Sequence, residues 1–145
     1  MKGDKKMAIS KKLSANDVGE TGAHQAGILV PKAKEILSFF PRLPSATKNP
    51  RATLLVREKA DHTRWKFVFI YYNNKFFNGT RNEYRLTGMT AYLRAVSAQI
   101  GDELVFSKDE SGSIFVECVR KTRSRSSNSD DGALVLRSGW KSIKL

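Results

Sequence analysis

The run Trp65-Lys-Phe-Val-Phe-Ile-Tyr-Tyr72 constrains this chain more than any other segment. Aromatic and β-branched side chains favour a pleated, extended backbone. Here they occupy both alternating faces, so the segment reads as a central strand covered on both sides. Shorter segments around it are punctuated by Gly, Pro, Asn and Asp. Residues 28–30, 53–58, 83–87, 103–107, 113–119 and 133–137 read as further strands, the pair 103–107 and 113–119 as a hairpin across 108–112.

Two helices interrupt them. Behind Pro31, residues Ala33, Ile36, Leu37 and Phe40 fall on one helical face, which Pro41 and Pro44 terminate. Met89, Leu93, Val96 and Ile100 form a second such face, stopped by Gly101-Asp102. About seven short strands and two helices, without a regular β-α-β alternation, predict a mostly β chain. Its sheet is expected to be antiparallel and barrel-like, with helices closing its ends. Residues 1–10 are expected to be a flexible basic leader, and 11–145 a single domain.

Charge narrows the function. The chain has 26 Lys and Arg against 14 Asp and Glu, a net charge of +12. Such a surplus calls for an anionic partner, whether nucleic acid, anionic membrane or acidic protein. No apolar run approaches the ~18 residues of a spanning helix. No apolar stretch follows the N-terminal lysines as a signal peptide requires, so the expected location is cytoplasmic or nuclear. Cys118 stands alone, which excludes an internal disulfide and a multi-cysteine zinc site, and its strand context reads as a small buried hydrophobe.

No catalytic constellation emerges. His24 and His62 are the only histidines, without further ligands at metal-binding spacing. The nearest approaches to a nuclease acid–lysine cluster, Asp4-Lys-Lys6 and Glu58-Lys59, lack a second acid suitably placed upstream. The chain is therefore expected to be non-catalytic, with no cofactor and no metal of its own.

Two segments combine phosphate-seeking cations with side chains able to read base edges. The first is Lys11-Lys-Leu-Ser-Ala-Asn-Asp17 with His24 and Gln25; it also suits a solubilising strand with an Asx-turn at Asn16-Asp17. The second is the long polar connection Asn73-Asn-Lys-Phe-Phe-Asn-Gly-Thr-Arg-Asn-Glu-Tyr-Arg85. Arg81 and Arg85 can each fork onto guanine O6 and N7, and Glu83 can accept from cytosine N4. A solvated hairpin carrying an Arg–Glu surface pair fits the same residues. Arg120-Lys-Thr-Arg-Ser-Arg125 reads better as a solvated loop than as a phosphate contact, and Trp140 as packing on the sheet. Phe76, Phe77 and Tyr84 keep stacking on single-stranded nucleic acid in view.

At these segments the sequence resembles known families. Lys12-Leu-Ser-Ala-Asn-Asp-Val-Gly19, Val30-Pro-Lys32, Phe40-Pro41, Tyr71-Tyr-Asn73, Leu86-Thr-Gly88 and Gly101-Asp-Glu-Leu-Val-Phe106 look like the plant B-three-type DNA-binding domains. Gly22-Ala-His-Gln-Ala-Gly27 and Thr80-Arg-Asn-Glu83 with Arg85 bring the chain nearer to the N-terminal effector-binding domains of EcoRII-type restriction endonucleases. Leu29, Gly79 and Tyr84 depart from that pattern, in which a tyrosine and two lysines stand at these places.

The resemblance implies a seven-stranded DNA-binding pseudobarrel that grips the major groove of double-stranded DNA between two arms. By that likeness the N-arm comprises Lys11, Lys12, Ser14, Asn16, Asp17, His24 and Gln25. The C-arm comprises Lys75, Arg81, Asn82, Glu83, Tyr84 and Arg85. It further implies a 5′-CCWGG-like site, bound as the effector copy of a type IIE enzyme of the bacterial cytoplasm. The covalently linked nuclease domain of that enzyme would carry the Mg2+ requirement and lies outside this chain. A stand-alone transcriptional regulator of the same fold is the alternative.

Overall fold

The computed structural model describes residues 6–19, 27–121 and 139–144. Within them the chain forms β1 (Met7–Lys12), β2 (Ile28–Val30), α1 (Lys34–Leu37), β3 (Arg51–Glu58), β4 (Arg64–Tyr72), β5 (Glu83–Thr87), α2 (Thr90–Ala95), β6 (Glu103–Lys108), β7 (Ile114–Val119) and β8 (Trp140–Ile143). A 3-10 turn over Asn74–Phe77 lies between β4 and β5. One sheet of eight strands runs in the order β2-β5-β4-β3-β7-β6-β1-β8. Every neighbouring pair is antiparallel except β3 with β7.

The sheet curls until its end strands meet. Trp140 on β8 donates its indole N–H to the carbonyl of Leu29 on β2 at 2.8 Å. The bond satisfies one carbonyl of the β2 edge across the seam. Trp140 is fully buried, stacked near Phe106 and edge-on to Phe40. The indole therefore fills the interior and closes the barrel at once.

The interior follows from strand alternation. On β3, Leu54, Val56 and Glu58 are buried while Thr53, Leu55 and Arg57 are exposed. Phe67 and Phe69 of β4, Leu104 and Phe106 of β6 and Val116 of β7 complete the core with Ile9, Ile28 and Leu86. Each fully buried aromatic or branched side chain contributes about 1.5–3 kcal/mol. β4 is central in the sheet, paired with β3 and β5, with Phe67 and Phe69 buried on one face and Ile70 on the other.

The expected mostly β, barrel-like architecture with two short helices is observed, with eight strands rather than seven. Two of the eight, β1 and β8, are not among the strands expected from the sequence. The leader reading of residues 1–10 needs correction at residues 7–10. Met7-Ala-Ile-Ser10 belongs to β1, sandwiched between β6 and β8, with Ala8, Ile9 and Ser10 buried. Backbone pairing on both sides outweighs the polar surroundings that suggested a free segment.

Both helices are shorter than their apolar spacing predicts. Beyond Leu37 the chain tightens, with Phe39 N–H bonded to Ile36 O and Phe40 N–H to Leu37 O. That shift buries Phe39 beside Phe40. Helix α2 ends in a left-handed residue, Ser97 at φ 53°. Ala98 N–H reaches Leu93 O and Ser97 N–H reaches Arg94 O, the paired bonds of a Schellman stop. Ile100 thus leaves the helix and is exposed. The expected strand over 133–137 lies outside the described residues.

Candidate nucleic-acid interface

The β4–β5 connection is a closed, pinned loop. Asn73, wholly buried, accepts from Asn49 N–H at 2.7 Å and donates to Thr47 O at 2.9 Å. The 3-10 turn follows, then Asn78 at φ 69°, a conformation asparagine tolerates. Gly79 packs so closely that an added Cβ would lie 2.7 Å from Asn74 Cβ. Bonds from Gly79 N–H to Asn74 O and from Lys75 N–H to Arg81 O close the loop.

The chain then enters β5, whose alternation puts Glu83 and Arg85 on one side, while Arg81, two residues before the strand, reaches the same carboxylate from the connection. Glu83 Oε2 accepts from Arg81 Nη2 at 2.6 Å and from Arg85 Nε at 2.9 Å. The Arg81 hydrogen bond, helped by Arg85 and opposed by partial burial, holds the Glu83 carboxyl below its ordinary range. Arg81 also lies over the ring of Tyr72, 3.8 Å from its centroid. Arg85 Nη1 donates to Gly27 O at 3.1 Å, tying β5 to the residue preceding β2. Two guanidinium groups are thereby set in fixed relation to one carboxylate.

Asn82 and Tyr84 alternate to the other side. Tyr71 donates its hydroxyl to Asn82 Oδ1 at 2.6 Å. Tyr84 stacks on Tyr71 with centroids 4.2 Å apart, and on Phe69. Burial pushes the Tyr84 hydroxyl up. The six C-arm residues therefore divide: Arg81, Glu83 and Arg85 cluster, Asn82 and Tyr84 face away from them, and Lys75 stands exposed on the 3-10 turn.

The first segment is organised differently. Ser14 and Asp17 form a reciprocal box, Ser14 N–H to Asp17 Oδ2 at 2.9 Å and Asp17 N–H to Ser14 Oγ at 3.2 Å. Lys11 Nζ pairs with the same Asp17 oxygen at 3.0 Å, with both side chains under a tenth exposed. Lys11, expected as a DNA contact, is a buried strut in this structure: its place on β1 puts it on the side of the strand that carries Ile9. In this conformation Ser14 and Asp17 also spend their polar groups inside the protein. Lys12 and Asn16 remain exposed. His24 and Gln25 lie outside the described residues.

Arg120 is a structural clasp. It bonds Asp102 at 3.1 Å, Ser97 O at 3.2 Å and Val96 O, fastening the end of α2 to β7. Burial pushes the Asp102 carboxyl up. Bonds from Lys121 N–H, Gln99 N–H and Arg120 outweigh that and hold it low. Arg123 and Arg125 lie outside the described residues. Cys118 is half-buried against the core, and burial pushes its thiol up.

Glu58 accepts from the buried Tyr92 hydroxyl at 2.7 Å, a bond internal to the barrel. Among the described residues no group of three or more His, Cys, Asp or Glu gathers to hold a metal. Sequence reasoning missed Tyr72 and the Gly27 carbonyl as partners of the arginines. Tyr72 lies directly across from Glu83, a neighbour visible only once the hairpin register is known.

A nearly closed β barrel with two short helices is the architecture of the B3-like DNA-binding pseudobarrel. Solved structures of that kind superpose on it. The Arabidopsis FUS3–DNA complex gives a TM-score of 0.61 at 18% identity, over 78% of this chain and 96% of that one. The B3 domain of UbaLAI restriction endonuclease with cognate DNA gives 0.53 at 22% identity, over 83% and 71%.

The chain belongs to the family described as restriction endonuclease EcoRII, N-terminal, which it matches over residues 3–130. It is 35% identical to the type II restriction enzyme EcoRII of Escherichia coli over 79 residues, 53% of this chain and 19% of that protein. It is 29% identical to the B3 domain-containing protein LFL1 of Oryza sativa subsp. japonica over 116 residues, 80% of this chain and 26% of that protein. The chain thus spans about a fifth to a quarter of the length of these relatives.

Proposed function

We propose that this chain binds a short double-stranded DNA sequence specifically, through two arms in the major groove. It does so as the effector, or target-recognition, domain of an EcoRII-like type II restriction endonuclease. The observation that carries the reading is the Arg81–Glu83–Arg85 cluster. Guanidinium forks match guanine O6 and N7, and the carboxylate between them fixes their spread. Lys12 and Lys75, exposed beside the two arms, supply phosphate contacts that set register without reading sequence. Both superposed structures are complexes with DNA, which supports the same class of ligand here.

The target is a 5′-CCWGG-like site, and the parent is a bacterial cytoplasmic enzyme whose linked nuclease domain uses Mg2+. Binding by this domain rests on direct hydrogen bonds and needs no cofactor. EDTA should therefore leave its affinity unchanged. A stand-alone transcriptional regulator is the second reading, favoured by the likeness to LFL1 across most of the chain. A nuclease domain in the parent reading frame distinguishes the two.

The test is a competition titration of a labelled CCWGG duplex against a scrambled duplex at moderate salt. A preference of a hundredfold or more is expected, reduced by Arg81→Ala by roughly 5–150-fold, the equivalent of one lost base contact. Equal affinity for both duplexes would refute specific readout, and absence of duplex binding would refute the function as a whole.

A further inference from the structure

Phe76 is 64% exposed and Phe77 36% exposed, side by side on the 3-10 turn of the β4–β5 connection. Single exposed apolar residues, such as Leu55 on β3, need no explanation. Two consecutive phenylalanines on an immobilised turn are different. Phe76 N–H is bonded to Asn73 O at 3.0 Å, and Asn73 is itself buried and locked to Thr47 and Asn49. The bonds from Gly79 to Asn74 and from Lys75 to Arg81 leave the loop little freedom to fold the ring inward. The turn thus holds an aromatic ring in water at fixed geometry, between exposed Lys75 and the Arg81 cluster.

The cations on either side direct this turn toward a polyanion. Base edges in the major groove present hydrogen-bonding groups almost throughout; their apolar feature is the C5 methyl of thymine. We propose that Phe76 packs on a thymine methyl in or beside the bound site, so that the C-arm selects a T-containing pair by apolar contact while Arg81 and Arg85 select guanine by hydrogen bonds. This rests on the reading of the connection as a major-groove arm. Because A·T and T·A pairs both place a methyl in the groove, the contact favours either over G·C without fixing their orientation.

The experiment measures affinity for the CCWGG duplex and for the same duplex with its thymines replaced by deoxyuridine, using wild-type protein, Phe76→Ala, Phe76→Leu and Arg81→Ala. Wild type should lose about fourfold on deoxyuridine, the worth of one buried methyl. Phe76→Ala should weaken binding to the thymine duplex and bind the two duplexes equally, while Phe76→Leu keeps part of the difference. Circular dichroism checks that the variants are folded.

Equal binding of both duplexes by wild type, or an undiminished difference in Phe76→Ala, would overturn the proposal. A rise in 2-aminopurine fluorescence that depends on Phe76 would also overturn it, in favour of stacking on an unpaired base. If Arg81→Ala loses specificity while Phe76→Ala is silent, only the methyl contact fails. If wild type already shows no preference for the site, the major-groove reading fails with it.

Discussion

Replacing Glu83 by glutamine separates a base-reading cluster from an ordinary surface ion pair. Glutamine keeps the length and one acceptor but removes the charge that both arginines share on Oε2. The side chains of Arg81, Glu83 and Arg85 are 44%, 29% and 18% exposed, so solvent screens much of the attraction. Discounted accordingly, the cost to folding is about 1 kcal/mol or less. That corresponds to at most about 1 M in urea midpoint.

The effect on DNA should be larger and of different kind. Two guanidinium groups lose the anchor that sets their spread, so discrimination between cognate and scrambled duplex should fall by about 1–3 kcal/mol, or roughly 5–150-fold. Affinity for scrambled duplex should hold or rise, because the arm gains one positive charge, and its salt dependence should steepen by up to about 0.9 in log–log slope. Fluorescence anisotropy with both duplexes at three salt concentrations reads all three quantities. Equal losses on the two duplexes, or an unchanged ratio, would refute the assignment and leave Glu83 a surface partner.

Acidity offers a second reading of the same variant. Arginine bonding lowers the folded-state pKa of Glu83 below its ordinary value of 4.5. Its contribution to stability is therefore complete above about pH 4.5 and is lost as pH falls through the lowered folded value. Wild type and Glu83→Gln should converge in stability at the acid end and separate toward neutrality.

The two adjacent lysines of β1 should behave oppositely. Lys11→Met strands the Asp17 carboxylate in a nearly solvent-free place and should cost about 3 kcal/mol of stability by urea titration. Lys12→Ala should cost under about 0.5 kcal/mol, yet weaken binding to all duplexes and lower the salt slope by about one phosphate's worth. Trp140→Phe removes the donor that closes the seam and leaves Leu29 O without its partner. The unpaired carbonyl costs about 1–3 kcal/mol, and the void left by the smaller ring about 1 more. A loss below about 0.5 kcal/mol would show that the seam contributes little to closure.

The parts of the fold legible in the sequence are those whose signal is local. Trp65–Tyr72 announces a central strand because a short run rich in aromatic and β-branched residues and bounded by turn formers favours extended backbone over helix, and Gly101-Asp102 marks a turn by composition alone. Met7-Ala-Ile-Ser10 and Trp140-Lys-Ser-Ile143 were not legible as strands, because each depends on the other: β1 pairs with β8, and neither carries an alternation strong enough to stand alone. The site divides similarly. The i, i+2 spacing of Glu83 and Arg85 puts them together wherever β5 forms, and Arg81, two residues before the strand, joins them through its bond to Glu83. Whether a lysine or aspartate of the first segment points inward depends on strand register, so Lys11 and Asp17 could be recognised as contact-type residues but not as a pair already spent on each other.

That difference bears on how the charge is used. Of a net +12, several cations are held by internal partners: Arg81 and Arg85 share Glu83, which leaves that cluster one surplus charge, and Lys11 is matched by Asp17. Other cations stand in exposed positions, including Arg57 directly across the sheet from Arg64, an arrangement of like charges that costs stability. Internally paired clusters are weaker phosphate binders than free cations but good rulers, because their members are held at fixed separation before any ligand arrives. Surplus cations are the reverse: they attract any duplex and distinguish none. Raising salt should therefore erode affinity for all sequences, while the ratio between cognate and scrambled duplex holds as long as Glu83 keeps the two arginines in place.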